Sequence, residues 1–302
     1  MSRTIAITGA TGFVGTETLE QLLVAGLSVR ALTRRPQAAR EGVTWIEGAL
    51  DRPETLDELV QGADAILHIA GVVNAPDRAG FEKGNGQGTA HIIIAAQRAG
   101  IKRFVHVSSL AARQRDLSNY CWSKALAEDH VRASGLDWMM IRPPAVYGPR
   151  DTEFRELLRV ARRGILPVPP KGRASLIHVR DLAAVLVALC GKAGDAHSGA
   201  IWEVDDNHPN GLSHPQLAAA LGRALGRKVR ALPLPKMILM GFARIDTLVR
   251  GPSAKLTSDR ARYMCFPDWV ADPAKKPPTD FWQPKIDTDT GLSEIATPFR
   301  TS

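Results

Sequence analysis

Thr4-Ile-Ala-Ile-Thr8-Gly9-Ala10-Thr11-Gly12-Phe13-Val14-Gly15, almost at the start of the 302-residue chain, decides the reading of the fold. Thr4–Thr8 is a short, mostly apolar run that breaks directly into three glycines spaced every third residue. Glycines there let the turn tighten, let backbone N–H groups approach a pyrophosphate, and let the next helix pack closely on the strand. That helix is predicted over Gly12–Ala25, with Val14, Leu19, Leu22 and Leu23 on one stripe and Gly26 where a C-terminal cap belongs. Strand, glycine turn and helix in that order open a βαβ unit, and the order gives the glycines their meaning.

Outward from this turn, Ser28–Thr33, Val43–Ile46, Asp64–Ala70, Arg103–Val107, Leu136–Arg142 and Ala200–Val204 read as strands. Most are nearly continuous in apolar character, as strands buried on both faces of a parallel sheet are. Their alternation with helical patterns predicts an α/β, doubly wound sheet of about seven strands with right-handed crossovers. After Pro149 the pattern loosens. A helix at Thr152–Arg163 leads into the proline-rich GILPVPPKGR loop, and another runs from His178 to near Gly191. Ser213 with Gln216 resembles a capping box opening a helix to about Gly226, and the C-terminal part carries the aromatic anchors Phe266, Trp269 and Trp282.

The composition narrows the function classes. Hydrophobic residues at 44% and charged residues at 23% fill an ordinary core, which excludes a disordered chain. Cys121, Cys190 and Cys265 are sparse and show no metal-ligand or redox spacing, as expected of buried thiols in a reducing cytoplasm. The first residues lack the signal-peptide pattern, and no apolar run reaches the roughly 18–20 residues of a spanning helix. The formal charge of +8 comes from scattered basic residues, which is no footprint for nucleic acid but suits an anionic cofactor or small-molecule substrate.

An ordered series of motifs extends the glycine turn. Leu50-Asp51 follows the third strand, Ile69-Ala70-Gly71 the fourth, and Asn85-x-x-Gly88-Thr89 opens a helix. Val107-Ser108-Ser109, Tyr120-x-x-x-Lys124, Arg142-Pro143-Pro144-Ala145-Val146-Tyr147-Gly148-Pro149 and His178-Val179-x-Asp181 complete it. Together these span about residues 4 to 190, and the chain resembles the extended short-chain dehydrogenase/reductases, related to NAD-dependent epimerases and dehydratases. The resemblance implies a Rossmann core at 1–150, rejoined by 176–205, with 151–175 and 206–302 as a substrate-binding region. It implies cofactor contacts from Gly9, Thr11, Gly12, Phe13, Val14, Gly15, Leu50, Ala70, Gly71, Ser108, Tyr120, Lys124, Pro143 and Val146. It also implies a possible homodimer, through two helices flanking the sheet centre. One departure stands out: Ala49 occupies a position where the family has an acidic residue at the adenine. The adenine contact is left to the Leu50 backbone, with a lower affinity expected.

Cofactor choice turns on the end of the second strand. A carboxylate there would suit the ribose hydroxyl of NAD, whereas the chain offers Thr33-Arg34-Arg35 and no acid. Arg34 and Arg35 can bind a 2′-phosphate through charge-assisted hydrogen bonds, or stand as solvated loop residues; the charge argument favours NADP over NAD.

Tyr120 and Lys124, four apart in a helical segment from Ser118 to Arg132, project from one face. A free tyrosine titrates near about 10, and a neighbouring ammonium lowers that value, which suits proton exchange with an alcohol oxygen. Ser109, at the carboxyl edge of the sheet, is placed by the resemblance to orient the reacting oxygen, with Ser108 nearer the cofactor; a turn-forming serine pair is the alternative. The expected reaction is hydride transfer between a nicotinamide and a carbonyl or secondary alcohol carbon. Alternatives are an epimerase or dehydratase that recycles its cofactor, and a non-catalytic dinucleotide-binding assembly or sensor protein. Ser109 and Tyr120 are only eleven residues apart, without the insertion and Tyr-Gly pair of the sugar-nucleotide epimerases, which points toward the reductases.

His68 and His106, inside apolar strands, read as satisfied core histidines. His178 and Asp181 read as positioning a loop, and Arg142 equally as a substrate ligand or a structural ion pair. The stretch Leu234–Arg244 reads as a core helix of the substrate region, with a membrane-surface helix as the alternative.

Overall fold

The computed structural model describes residues 3–251 and 254–300. Its parallel sheet holds β1 (Thr4–Thr8), β2 (Ser28–Thr33), β3 (Val43–Glu47), β4 (Ala65–His68), β5 (Arg103–Val107), β6 (Asp137–Arg142) and the strand Ala200–Glu203. The order across the sheet is Ala200–Glu203, β6, β5, β4, β1, β2, β3. Ile5 faces Val29 on one side and Ala65 on the other, and all three are buried. This explains the continuous apolar runs of the inner strands β1, β4 and β5, which are covered on both faces, whereas the edge strand β3 buries only Ile46. Helices α1 (Phe13–Val24), α2 (Pro53–Val60), α3 (Arg78–Phe81), α4 (Gly88–Arg98) and α5 (Asn119–Arg132) make the crossovers. From β1 the chain winds outward to β3, then returns to start β4 on the other side. The strand order therefore reverses between β1 and β4, where open α/β sheets bind their ligands.

The chain divides into two compact units. Met1–Arg142, Leu182–Trp202 and Pro277–Trp282 form the first; Pro143–Asp181, Glu203–Lys276 and Gln283–Ser302 form the second. The late return at Pro277–Trp282 is anchored by Phe281, whose ring lies 4.6 Å from His197 and 5.3 Å from Trp202.

In the second unit the helices Thr152–Ala161, His214–Leu225 and Thr288–Arg300 enclose a core that includes Leu158, Leu221, Leu225 and Leu292. The capping box at Ser213 and Gln216 is present. The proline-rich stretch expected as a loop contains a strand, Ile165–Val168, paired in parallel with Arg230–Pro233. Alternating burial gives it away: Leu166 and Val168 point inward while Ile165 and Pro167 do not. The helix expected in the core runs from Lys236 to Arg250 and buries only Leu239 and Ala243. Its sequence carries apolar residues around most of the wheel, and only the narrower stripe packs. No helix among the described residues is long and apolar enough to cross a membrane.

The turn after β1 sets the tightest steric limit in the sheet. A Cβ on Gly15 would lie 1.9 Å from the Gly9 carbonyl oxygen and 2.9 Å from the Ala10 Cα. Gly15→Ala is expected to cost roughly 1–3 kcal/mol by overpacking, read as a lower midpoint in chemical denaturation.

Candidate active site

The glycine turn brings the ends of β1 and β4 together. Gly9 sits at φ +79°, and a Cβ there would lie 2.7 Å from the Ala70 backbone nitrogen. Gly12 then caps α1 in an extended conformation, with no side-chain cap and no acidic residue in the first turn. The first N–H groups of the helix, with half-buried Phe13 and Val14 among them and exposed Thr11 just before, are left for an anion. Arg34 and Arg35 are exposed directly after β2, and no carboxylate pairs with either among the described residues. An uncapped helix end, glycines that no side chain could replace, and two open guanidiniums fit a phosphorylated dinucleotide. Around Leu50, the Leu50 carbonyl accepts from His91 Nδ1 at 2.7 Å, and Asp51 pairs with Lys83 at 3.1 Å. Asp51 is thus turned to a lysine and does not replace the acid missing at Ala49.

Helix α5 is set from its first residue. Ser118 caps α5, its hydroxyl accepting from Cys121 N at 3.1 Å. Tyr120 is half-buried, with its ring 6.0 Å from Phe81. One turn later Lys124 is buried, and its Nζ donates to the Val107 carbonyl at the end of β5, at 2.9 Å. Burial lowers the Lys124 pKa to about 8, with the Glu128 carboxylate working against the shift. The ammonium form still dominates near neutrality, by about tenfold for one unit.

Two histidines lie in the strands beside it. Burial, then the Lys124 charge, drives His68 down to about 3 and His106 well below its usual value, so both are neutral. Thr8 Oγ1 accepts from Ala70 N at 3.3 Å and shares a hydrogen bond with His68 Nδ1 at 2.6 Å. His68 Nε2 shares a second with Thr89 Oγ1 at 3.0 Å, so both ring nitrogens are satisfied. The expected satisfied core histidine is His68. His106 stacks on it at 5.3 Å, and neither of its ring nitrogens finds a partner among the described residues.

The two serines separate. Ser108 donates to Glu128 Oε1 at 2.6 Å, inside a buried network in which Arg142 makes two 2.7 Å bonds to the same carboxylate. Burial pushes the Glu128 carboxyl up, but Arg142, Ser108 and Arg132 outweigh it and hold the pKa below its usual value. Arg142 is therefore a structural ion pair, and Ser108, its N–H bonded to the Ile141 carbonyl at 2.8 Å and its hydroxyl proton given to Glu128, keeps only acceptor oxygens for a cofactor. Ser109 accepts from Ala111 N at 3.2 Å, capping the turn Leu110–Arg113, and retains a hydroxyl proton to donate.

Asn85 joins the parts and was not read as a site residue. It lies in a π-helical turn, Glu82–Gln87, and is buried. Its Oδ1 accepts from Val72 N at 2.8 Å, and its Nδ2 donates to Val72 O and to Ser123 Oγ at 3.0 and 2.9 Å. Ser123 Oγ donates in turn to the Tyr120 carbonyl at 2.8 Å. A Cβ on Gly71 would lie 2.9 Å from Asn85 Oδ1 and 3.9 Å from Lys124 Nζ. Gly71, Asn85 and Lys124 thus meet at the end of β4. Pro143 and Val146 belong to the second unit, Val146 on the strand Ala145–Tyr147. There Asp181 accepts from Lys285 N and Ile286 N at 3.0 and 2.9 Å, the loop-holding role expected of it.

Comparison with known proteins identifies the family. Residues 9–192 match the NAD(P)H-binding family. A ceramide reductase of Caulobacter vibrioides is 37% identical over 280 residues, covering 89% of this chain and 86% of its own. The chain belongs to the extended short-chain dehydrogenase/reductases. An NAD(P)H azoreductase of Xenophilus azovorans is 30% identical over 252 residues, 81% of this chain and 83% of its own. The solved structure of a human epimerase family protein with NADPH matches with a TM-score of 0.74 at 20% identity, over 97% of this chain and 99% of its own. The fold is common to epimerases and reductases, while the sequence relatives are chiefly reductases. This dehydrogenase/reductase is an NAD(P)-dependent oxidoreductase.

The lowered pKa of Lys124 has a measurable sign. The ammonium is present below about pH 8 and is lost as pH rises through that value. Affinity for NADPH should fall across that interval, while Lys124→Met should bind weakly and without the pH dependence; isothermal calorimetry at stepped pH reads both.

Proposed function

We propose that this oxidoreductase is an NADPH-dependent reductase of a ketone carbonyl on a long-chain lipid, with Tyr120, Lys124 and Ser109 at the reacting atoms. The observation that carries the reading is the buried Lys124 ammonium at the carboxyl edge of β5, one helical turn from Tyr120. The lipid class is supported by the likeness to a ceramide reductase along most of the chain. The NADPH preference is supported by Arg34 and Arg35 after β2, with no acid at that strand end.

The first-turn N–H groups of α1 would hold the pyrophosphate, Arg34 and Arg35 the 2′-phosphate, and Lys124 the ribose beside the nicotinamide. When bound, the reduced nicotinamide supplies a hydride to the carbonyl carbon. Tyr120 gives its phenolic proton to the carbonyl oxygen as that oxygen gains charge, leaving an alcohol and a tyrosinate that solvent reprotonates. Lys124 stabilises the tyrosinate electrostatically and thereby eases the transfer. Ser109, its oxygen already engaged by Ala111 N, directs its own proton at the same carbonyl oxygen and orients it. The second unit supplies the substrate-binding region, with the turn at 285–286 held by Asp181.

Calorimetric titration with NADPH and NADH, combined with turnover of a long-chain keto amide, tests the reading. NADPH should bind tighter than NADH, and Arg34→Ala should weaken NADPH alone, by about tenfold for a lost charge-assisted bond pair. Tyr120→Phe should keep nucleotide affinity and lose about 10²–10⁴-fold in turnover. Equal affinity for the two nucleotides would remove the NADPH assignment, and unchanged turnover in Tyr120→Phe would remove the catalytic one.

A further inference from the structure

The Lys236–Arg250 helix leaves exposed Met237, Ile238, Phe242, Ile245, Leu248 and Val249. These are six of the twelve large apolar side chains left exposed among the described residues, gathered on one fifteen-residue helix. At about 100° per residue they occupy a continuous face roughly 140° wide, with Gly241 inside it. The opposite, narrower stripe, Leu239 and Ala243, is the one that packs. An apolar face of this size on a water-soluble unit marks a surface that something covers.

The charge around the helix says what. Between Arg227 and Lys255 the sequence holds seven basic residues and one acidic residue, Asp246. All seven are exposed, and Asp246 accepts from Lys255 N and Leu256 N, each at 2.8 Å, and pairs with Arg250 at 3.2 Å. The stretch therefore carries most of the chain's net charge of +8. A second copy of the chain on this face would bring two such positive surfaces together, which like-charge repulsion opposes. A wide apolar face with Arg244 at its edge, and exposed lysines and arginines at and beyond both helix ends, is the pattern of a helix lying in the headgroup region of a bilayer.

We propose that the Lys236–Arg250 helix docks the protein onto an anionic lipid bilayer, with Phe242, Ile245 and Leu248 entering the acyl boundary and Arg244, at the edge of the face, meeting the headgroups. The proposal does not depend on the reductase reading, because docking is measured without nucleotide or turnover.

Flotation of the full chain with two kinds of vesicle tests it: phosphatidylcholine alone, and phosphatidylcholine with roughly one-third phosphatidylglycerol. The protein should float with the anionic vesicles, stay behind with the neutral ones, and release as salt rises. Ile245→Glu with Leu248→Glu, both at exposed positions, should weaken vesicle binding at least about tenfold while leaving NADPH affinity unchanged. Arg244→Ala should weaken it several-fold. Absence from both vesicle fractions, or unchanged binding by the double variant, would overturn the proposal. So would a dimer in sedimentation velocity that the double variant dissociates, since a second copy would then be what covers the face.

Discussion

A lysine amine can be buried at the edge of a sheet only if something there accepts its protons, and here the Val107 carbonyl does so at 2.9 Å. An unpaired buried ammonium costs several kcal/mol, so this bond fixes much else. It requires α5 to lie against the end of β5, which sets Tyr120 one turn earlier on the same face. It puts Glu128 one turn later, where the carboxylate both favours the ammonium and collects Arg142 and Ser108. His68 and His106 beside it stay neutral, chiefly because they are buried and further because the Lys124 charge would repel a second one.

The other half of the site rests on backbone contact where side chains have no room. The Gly9 turn presses on Ala70, and Asn85 ties the chain after β4 to Ser123 and so to the Tyr120 carbonyl. The dinucleotide turn and the catalytic helix are thus connected through hydrogen bonds within one unit, with no need for a contact made by the ligand. Such a frame is pre-organised, and the binding of cofactor and substrate need not first order it.

The core was legible because its signals are local. A strand buried on both faces is written as an apolar run, and a glycine forced by a close approach is written as a glycine. The sheet strands β1, β2 and β5 fall where periodicity puts them, and the short Ser109–Tyr120 interval agrees with relatives that are chiefly reductases. Contacts between distant residues were less legible. Nothing near Ser108 reveals that Glu128, twenty residues on, takes its hydroxyl. The π-helical turn that aims Asn85 depends on a backbone register that composition does not encode. In the second unit short strands pair across sixty residues, as Ile165–Val168 does with Arg230–Pro233, and two prolines hid the alternation. The Lys236–Arg250 helix misled for another reason. Apolar spacing tells that a face leaves water, but not whether protein or another phase receives it.

Hydride delivery to a carbonyl carbon beside Tyr120 is the central claim, and isotope tracing tests it most directly. The protein would be incubated with a long-chain keto amide and NADPH deuterated at the transferring position of the nicotinamide, and the product analysed by mass spectrometry. One deuterium on the carbinol carbon, in a product that Tyr120→Phe forms about 10²–10⁴-fold more slowly, is the expected result. An alcohol formed without deuterium, or formed by Tyr120→Phe at the native rate, would contradict it.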